Sequence, residues 1–413
     1  MHFFRQGFSG GLRRDTVELF FIFLRLGLTS FGGPVAHLAY FREMFVDKRG
    51  WLSPGRYAEL VALCQFLPGP ASSQVGMAIG LQRAGYWGAL AAWLGFTLPS
   101  ALLMISSARL LVSYAQWVPV SFLHGLKVVT VAVVAQAVWS MGRALCHTRL
   151  HLMLMLLATL TTLAIPTVAG QLAAMAVAAV IGRFCLCHDH GAEAAYETNP
   201  LSWRTISSAA VLPLLLYLAL LLVLPLLVKM IDSNELMAVN AFYRAGALVF
   251  GGGHVVLPLL QTELVVPGWI DADTFLAGYS LAQAMPGPLF TFAGFVGASL
   301  SHSASGWLLG ALSLLAIFTP SFLLVAGTLP IWEQLRSEPR VRGMLAGINA
   351  AVVGLLLATL IDPVCRSALM GWTDLLLAGV AFIALQQFRL PAWAVVIGGA
   401  LASWLWALLI AAL

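Results

Sequence analysis

Apolar stretches of about 20 residues alternate along the chain with short polar or glycine-rich breaks, the spacing of a polypeptide that crosses a bilayer many times. Full spans are predicted near 86–109, 122–142, 151–165, 168–183, 208–230, 305–329, 343–361, 373–388 and 391–411. The pair 151–165 and 168–183 is short, with only Pro166 to connect it. Other apolar runs are interrupted half-way. Residues 17–31 and 35–48 flank Phe31-Gly32-Gly33-Pro34, and 57–67 and 71–83 flank Pro68-Gly69-Pro70. Runs 240–265 and 274–300 are broken likewise by Phe250-Gly251-Gly252-Gly253 and Pro286-Gly287-Pro288. Each limb is too short to span comfortably, and proline removes a backbone donor and crowds the preceding turn. The pattern predicts re-entrant helical hairpins that turn near the bilayer midplane and leave by the face they entered.

The breaks expose a duplication. Arg25-Leu-Gly-Leu-Thr-Ser-Phe31 recurs as Arg244-Ala-Gly-Ala-Leu-Val-Phe250, and Gly50-Trp51 as Gly268-Trp269. Gln65-Phe-Leu-Pro68-Gly69-Pro70 recurs as Gln283-Ala-Met-Pro286-Gly287-Pro288, Pro99-Ser100 as Pro320-Ser321, and Gly125-Leu-Lys127 as Gly347-Ile-Asn349. The expected organisation is an amino-terminal segment 1–16, a repeat 17–185, a loop and linker span 186–239, and a second repeat 240–413. Between its first two motifs the first repeat carries Arg42, Lys48, Arg49 and Arg56, whereas the second carries Glu263, Asp271 and Asp273. Because cytoplasmic loops are enriched in Lys and Arg, the two repeats are expected to have inverted topologies. The fold class is therefore an all-α polytopic membrane protein, with two re-entrant hairpins and about four spans per repeat.

Composition narrows the classes further. With 413 residues, 60% hydrophobic and 9% charged, the chain cannot cover a soluble globule with polar surface. Five cysteines are too few for a disulfide scaffold. The formal charge of +5 is scattered singly between apolar runs, as topology determinants are, and makes no nucleic-acid footprint. No cleavable signal is expected at the start, which places the amino terminus in the cytoplasm and the carboxyl terminus in the periplasm.

Broken helices suggest the chemistry. Irregular backbone at membrane depth needs protein or a water-filled cavity around it, and four such breaks imply a cavity at the interface between the repeats. A helix that starts at such a break presents unpaired amides and the positive end of its dipole, a ready site for an anion. Prolines 34, 70 and 288 suit a first helical position. The expected site comprises Gly32, Gly33, Pro68, Gly69, Pro70, Gly251, Gly252, Pro286, Gly287 and Pro288 as backbone, with Ser72, Ser73, Thr291 and His254 as donors. Arg25, Arg244 and Lys127 are the candidate cations, since a charge at bilayer depth usually marks a pathway or site. Each also has a plainer reading: the arginines snorkel or pair with a carboxylate such as Glu18, and Lys127 is interfacial. His37, Glu59 and His254 are candidate proton carriers, against a satisfied polar contact for the histidines and a helix-start charge for Glu59. Gln65 and Gln283 are matched supporting residues, for the ion or for bonding between hairpins. Cys185, Cys187, His188 and His190 resemble a metal-binding tract, though on a loop with tight spacing and no second half; no metal site and no cofactor are expected. No nucleophile, phosphate loop or dinucleotide fingerprint suggests an enzyme.

The paired Phe-Gly-Gly and Pro-Gly-Pro motifs resemble the chromate ion transporter family, in its long form with two fused homologous domains. The resemblance covers essentially the whole chain. It implies proton-driven efflux of chromate across the bacterial inner membrane, chromate resistance as the role, and sulfate as a competitor of like shape and charge. It also admits a homodimer. Glycine in place of proline at 253, followed by His254, departs from the first repeat and leaves open whether both repeats contact the ion equally. Transport of another tetrahedral oxyanion, a passive anion channel, and a membrane reductase using the Cys/His loop are the alternatives.

Overall fold

The computed structural model describes residues 12–31, 33–114, 119–186, 208–231, 233–250, 253–301, 305–332 and 338–412, and every element among them is helical. The first repeat runs through α1 (Leu12–Thr29), α2 (Gly33–Arg42, prolonged by a π turn Glu43–Lys48), α3 (Pro54–Phe66), α4 (Ala71–Tyr114), α5 (Val120–Leu145), α6 (Arg149–Ala164) and α7 (Val168–Cys185). Helix α4 is interrupted at Ala84 and Gly85, where Gly85 takes φ +63°, so limbs 71–83 and 86–114 are separate rods. After α8 (Ser208–Met230) the second repeat gives α9 (Asn234–Leu248), α10 (Val256–Leu260, with helical turns on both sides over Gly253–Val255 and Gln261–Val265) and α11 (Ala272–Ala284). It continues with α12 (Phe292–Ser299, entered through Leu289–Thr291), α13 (Ser305–Thr328), α14 (Pro339–Thr359, prolonged to Ala368), α15 (Trp372–Gln386) and α16 (Ala392–Ala412).

The element order of the second repeat reproduces the first, with α9 answering α1 and α16 answering α7. A helix covers each of the expected spans, with ends within a few residues of those predicted. Among the described residues, six helices are long and apolar enough to cross a membrane, and α6, α7, α12 and α15 are shorter apolar helices. The limbs beside the breaks stay short: α3 and α11 have 13 residues each, about 20 Å of helix against a hydrocarbon core of about 30 Å. Helix α8 is exposed along almost its whole length, with Leu212, Leu215, Leu222 and Leu226 facing outward. So are the outer faces of α6, α15 and α16, as lipid contact requires.

In a bilayer the surroundings are as apolar as the protein interior, so close backbone approach between small residues does much of the work of association. A Cβ on Gly27 would lie 2.6 Å from the Phe96 carbonyl oxygen, and one on Gly246 would collide with the Ile317 carbonyl. These are matched positions: α1 packs on α4 as α9 packs on α13. Around the first contact Phe23, Phe41 and Phe96 interlock edge-to-face, with centroids 5.4 Å (Phe23–Phe41) and 5.1 Å (Phe41–Phe96) apart.

The equivalent helices α4 and α13 run antiparallel to each other. Tyr86 and Ala89 lie beside Phe322 and Ala326, and Trp93 meets Phe318 and Phe322 with centroids 5.6 and 5.5 Å apart. Further along, Ile105 lies against Gly310, and Arg109 Nη1 donates to the Ser301 carbonyl at 2.6 Å. The repeats also exchange helices. Helix α5 packs on α15 and α16, with Gly125 against Ala400 and Ser403, and α14 packs on α6 and α7, with Gly347 against Ala178 and Gly182. Polar contacts fasten the exchange: His124 Nε2 lies 2.8 Å from Asp374 Oδ1, and Thr159 Oγ1 donates to the Gly354 carbonyl at 3.1 Å.

Candidate functional site

All four breaks converge, and they do so by exchange. Gly69 N donates to the Val249 carbonyl at 2.6 Å, and Gly287 N donates to the Ser30 carbonyl at 3.0 Å. Gly69 and Gly287 are matched glycines, and Ser30 and Val249 each precede the Phe of their own Phe-Gly-Gly. Each Pro-Gly-Pro turn therefore binds the Phe-Gly-Gly turn of the other repeat. The glycines stand at φ +124° and +92°, conformations that a side chain resists. Each also sits on the matched serine of the opposite repeat. A Cβ on Gly69 would lie 2.6 Å from Ser321 Oγ, and one on Gly287 would lie 2.7 Å from Ser100 Oγ. Gly253 reaches the same place, near Leu289 and Pro34.

The new helices start here. Pro70 and Pro288 stand one residue before the first helical residue, rather than at it, and Pro34 is the second residue of α2 after Gly33. Gly33 (φ +75°) makes the turn into α2. The leading amides of α4, at Ala71, Ser72 and Ser73, have no acceptor within the helix, while Gln74 N reaches back to the Pro70 carbonyl at 2.9 Å. Ser72 and Ser73 are buried, as are Pro68, Gly69 and Pro70. The sequence suggested a cavity at this level; the structure instead closes the turns on one another. Gly32, Gly251 and Gly252 lie outside the described residues.

His37 is buried at this junction. Its Nε2 lies 3.2 Å from the Ser30 carbonyl and its Nδ1 3.4 Å from Ser72 Oγ, with its ring edge-on to Phe96. His254 occupies a different environment, 2.7 Å from Tyr279 Oη and 3.2 Å from Gln283 Nε2 through Nδ1. Gln283 thus bonds from α11 to the helical turn Gly253–Val255, whereas its matched partner Gln65 is exposed. Thr291 Oγ1 donates to the Pro288 carbonyl at 2.8 Å, closing its own turn.

The expected cations do not join the turns. Arg25 is exposed and lines an outer groove of about 690 Å³ with Phe21, Tyr40, Glu43 and Lys48. Arg244 pairs with Glu263 at 3.0 Å, and Lys127, nearly buried, pairs with Asp273 at 2.9 Å. Arg244 thus follows the pairing reading, and Lys127, read from the sequence as interfacial, is paired as well, since a desolvated cation is costly without a counter-charge. Glu18 pairs with Arg49 rather than Arg25. Glu59 lies in the second turn of α3 rather than at its start; it pairs with Arg56 at 2.9 Å and does not join the turns. Cys185 ends α7 and is exposed; Cys187, His188 and His190 lie outside the described residues.

Several polar groups at the junction were not singled out from sequence. Gln74 is fully buried; its Nε2 donates to the Pro68 carbonyl at 2.7 Å and lies 3.4 Å from Ser321 Oγ. Ser100 and Ser321, buried on the matched Pro-Ser steps of α4 and α13, touch the opposite turns. Ser30 Oγ, Ser73 Oγ, Gln74 Oε1 and Thr97 Oγ1 are buried without a hydrogen-bond partner among the described residues. The matched Pro-Ser motif was the available signal for Ser100 and Ser321.

Comparison with known proteins adds the lineage. A family model described as chromate transporter matches the chain twice, over residues 17–183 and 236–404. The chain is 30% identical over 400 residues to a chromate transport protein of Pseudomonas aeruginosa, covering 94% of this chain and 92% of that one. It is 24% identical over 395 residues to a chromate transport protein of Cupriavidus metallidurans, covering 93% and 91%. An uncharacterized transporter of Bacillus subtilis is 32% identical over 162 residues, which cover 38% of this chain and 88% of that relative. No solved structure matches. The chain belongs to the chromate transporter family.

Proposed function

We propose, on the premise of a chain in the chromate transporter family, a secondary transporter that exports chromate across the inner (plasma) membrane by proton antiport and so confers chromate resistance. The observation that carries the site is the reciprocal exchange at the breaks, which sets the starts of α4 and α12 at one junction between the repeats. There the leading amides and the positive helix ends favour a small oxyanion. Chromate as the ion is supported by the family and by the names of the relatives. The closed junction serves as one state of a cycle; parting one exchanged pair at a time opens the site to alternate faces. His37, in contact with Ser72 and the Ser30 carbonyl, is the proton carrier in this reading.

Inverted repeats are supported by the antiparallel packing of α4 on α13. Matched helices that run antiparallel are related by an axis perpendicular to them, which lies in the membrane plane when they span it. Re-entrant hairpins are supported by the short limbs and by one cluster of ends. Asp15 near the start of α1, Trp51 after α2 and Arg83 at the end of the first limb of α4 sit together. Arg83 lies 3.5 Å from Asp15, and its guanidinium carbon is 4.5 Å from the Trp51 ring centroid.

Flux into everted vesicles tests the function: chromate uptake driven by an imposed proton gradient, with the membrane potential clamped, is the expected result. Uptake indifferent to the gradient removes antiport, and unitary currents replace the carrier with a channel. Sulfate, similar in shape, is an expected competitor, and its strength reports what the site reads beyond shape. Cysteines introduced at 48 and 271 should label from opposite faces; labelling from one face overturns the inversion. Cys146, between α5 and α6, is a quiet background for that assay because burial pushes its thiol up to about 11, whereas exposed Cys185 has to be replaced first.

A further inference from the structure

The two turns are matched in backbone and unequal in chemistry. After Pro70 come Ala71, Ser72, Ser73 and Gln74; after Pro288 come Leu289, Phe290, Thr291 and Phe292. In the second repeat Thr291 spends its hydroxyl on the Pro288 carbonyl, and Phe290 and Phe292 are fully buried. In the first repeat Ser73 Oγ and Gln74 Oε1 are buried with no hydrogen-bond partner among the described residues. A buried polar atom left unpaired has lost its water and gained nothing in return, so a ligand that pairs with it is favoured. Gln74 is held in one sense: Nε2 donates to the Pro68 carbonyl at 2.7 Å, which fixes Oε1 as the free atom of its amide. That free atom is an acceptor only.

A fully deprotonated oxyanion offers acceptors alone. It suits the leading amides and the Ser73 hydroxyl, but it has nothing to give Gln74 Oε1, and two facing acceptors repel. A tetrahedral oxyanion that retains one proton offers both kinds of group. We propose that the start of α4, and not that of α12, receives a singly protonated tetrahedral oxyanion. In this arrangement the amides of Ala71–Ser73 and Ser73 Oγ donate to its bare oxygens, and Gln74 Oε1 accepts its hydroxyl proton. The proposal rests on the oxyanion-transport reading and deepens it; because the bound ion takes one proton out with it, net antiport requires two protons inward for each ion. It names Gln74 as the residue that separates chromate, which takes up a proton near neutral pH, from sulfate, which does so only in strong acid.

The test is competition for binding of radiolabelled chromate to the purified full-length protein at neutral pH. Phosphate and arsenate, which keep a proton there, are set against sulfate and selenate, which do not. For the wild-type protein, phosphate and arsenate should compete at least tenfold more tightly than sulfate and selenate. The Gln74→Met protein should lose that preference, and Ser73→Ala should weaken chromate binding about tenfold or more while the matched Thr291→Val leaves it within about twofold, since one hydrogen bond to an ion is worth about 1.5–3 kcal/mol. The wild-type series stands without any variant, should Gln74→Met fail to fold. Sulfate competing as tightly as phosphate, a Gln74→Met protein with the wild-type preference, or equal effects of Ser73→Ala and Thr291→Val each overturn the proposal alone. Folded wild-type protein that binds none of these ions saturably overturns the oxyanion reading itself.

Discussion

Replacing Gly69 by alanine strikes the exchanged turns at their tightest point. The residue stands at φ +124°, where a side chain is strained, at a cost of about 1–3 kcal/mol. The added Cβ would lie 2.5 Å from Gln74 Nε2 and 2.6 Å from Ser321 Oγ, so the Gln74 amide, α13 or the turn has to yield. If the turn yields, the bond from Gly69 N to the Val249 carbonyl goes with it, at about 0.5–1.5 kcal/mol. The sum is about 2–4 kcal/mol, and 2.8 kcal/mol is about a hundredfold in a population. Because the loss falls on the closed junction, Gly69→Ala should cut gradient-driven chromate uptake into everted vesicles by at least about tenfold. It should also lower the melting temperature in detergent. Gly85→Ala is the control: its φ is +63°, nothing lies within 4 Å of the new Cβ, and the cost is about 1–2 kcal/mol with the turns untouched. Uptake and melting of Gly69→Ala within the range of the Gly85→Ala protein would refute the argument that the exchanged turns close the pathway.

The ion pairs predict contrasting effects. Arg244→Met leaves half-buried Glu263 without its partner and should cost about 2 kcal/mol by thermal unfolding, whereas Arg25→Met should stay within about 0.5 kcal/mol. If Arg25→Met nonetheless abolishes chromate uptake, the outer groove and not the turn junction holds the ion. Asp273→Asn strands the nearly buried ammonium of Lys127 and should destabilise by about 1 kcal/mol, while Lys127→Met should be near neutral, a difference readable in the same melts. Gly347→Ala drives a methyl group into the Ala178 carbonyl and should cost about 3 kcal/mol or more, measured as loss of folded protein by size-exclusion chromatography.

Spans and breaks were legible because a bilayer imposes length and apolarity on each segment separately, so Pro-Gly-Pro and the 20-residue runs can be read one at a time. Which helix touches which is another matter. Gly125 and Gly347 looked like one more repeated motif, and nothing local says that each fits a helix of the other repeat. Matching also misled in selecting residues. It promoted Gln65 with Gln283, though one is exposed and the other bonds His254, and it passed over Gln74 because the residue at its matched position is Phe292. Arg25 and Arg244 were paired on the same ground, yet Glu263 reaches only the second. A duplicated scaffold preserves backbone geometry more strictly than side-chain chemistry, so symmetry locates the site and asymmetry identifies its working atoms.

The swap of α5 and α14 bears on how such a molecule can move. A rocking of one repeat as a block against the other would have to drag α5 off α15 and α16 and α14 off α6 and α7, pulling apart the close glycine seams at Gly125 and Gly347. The natural rigid pieces are therefore hybrids, each assembled from both copies of the ancestral unit, and the chain's own punctuation at the linker does not mark the mechanical joint.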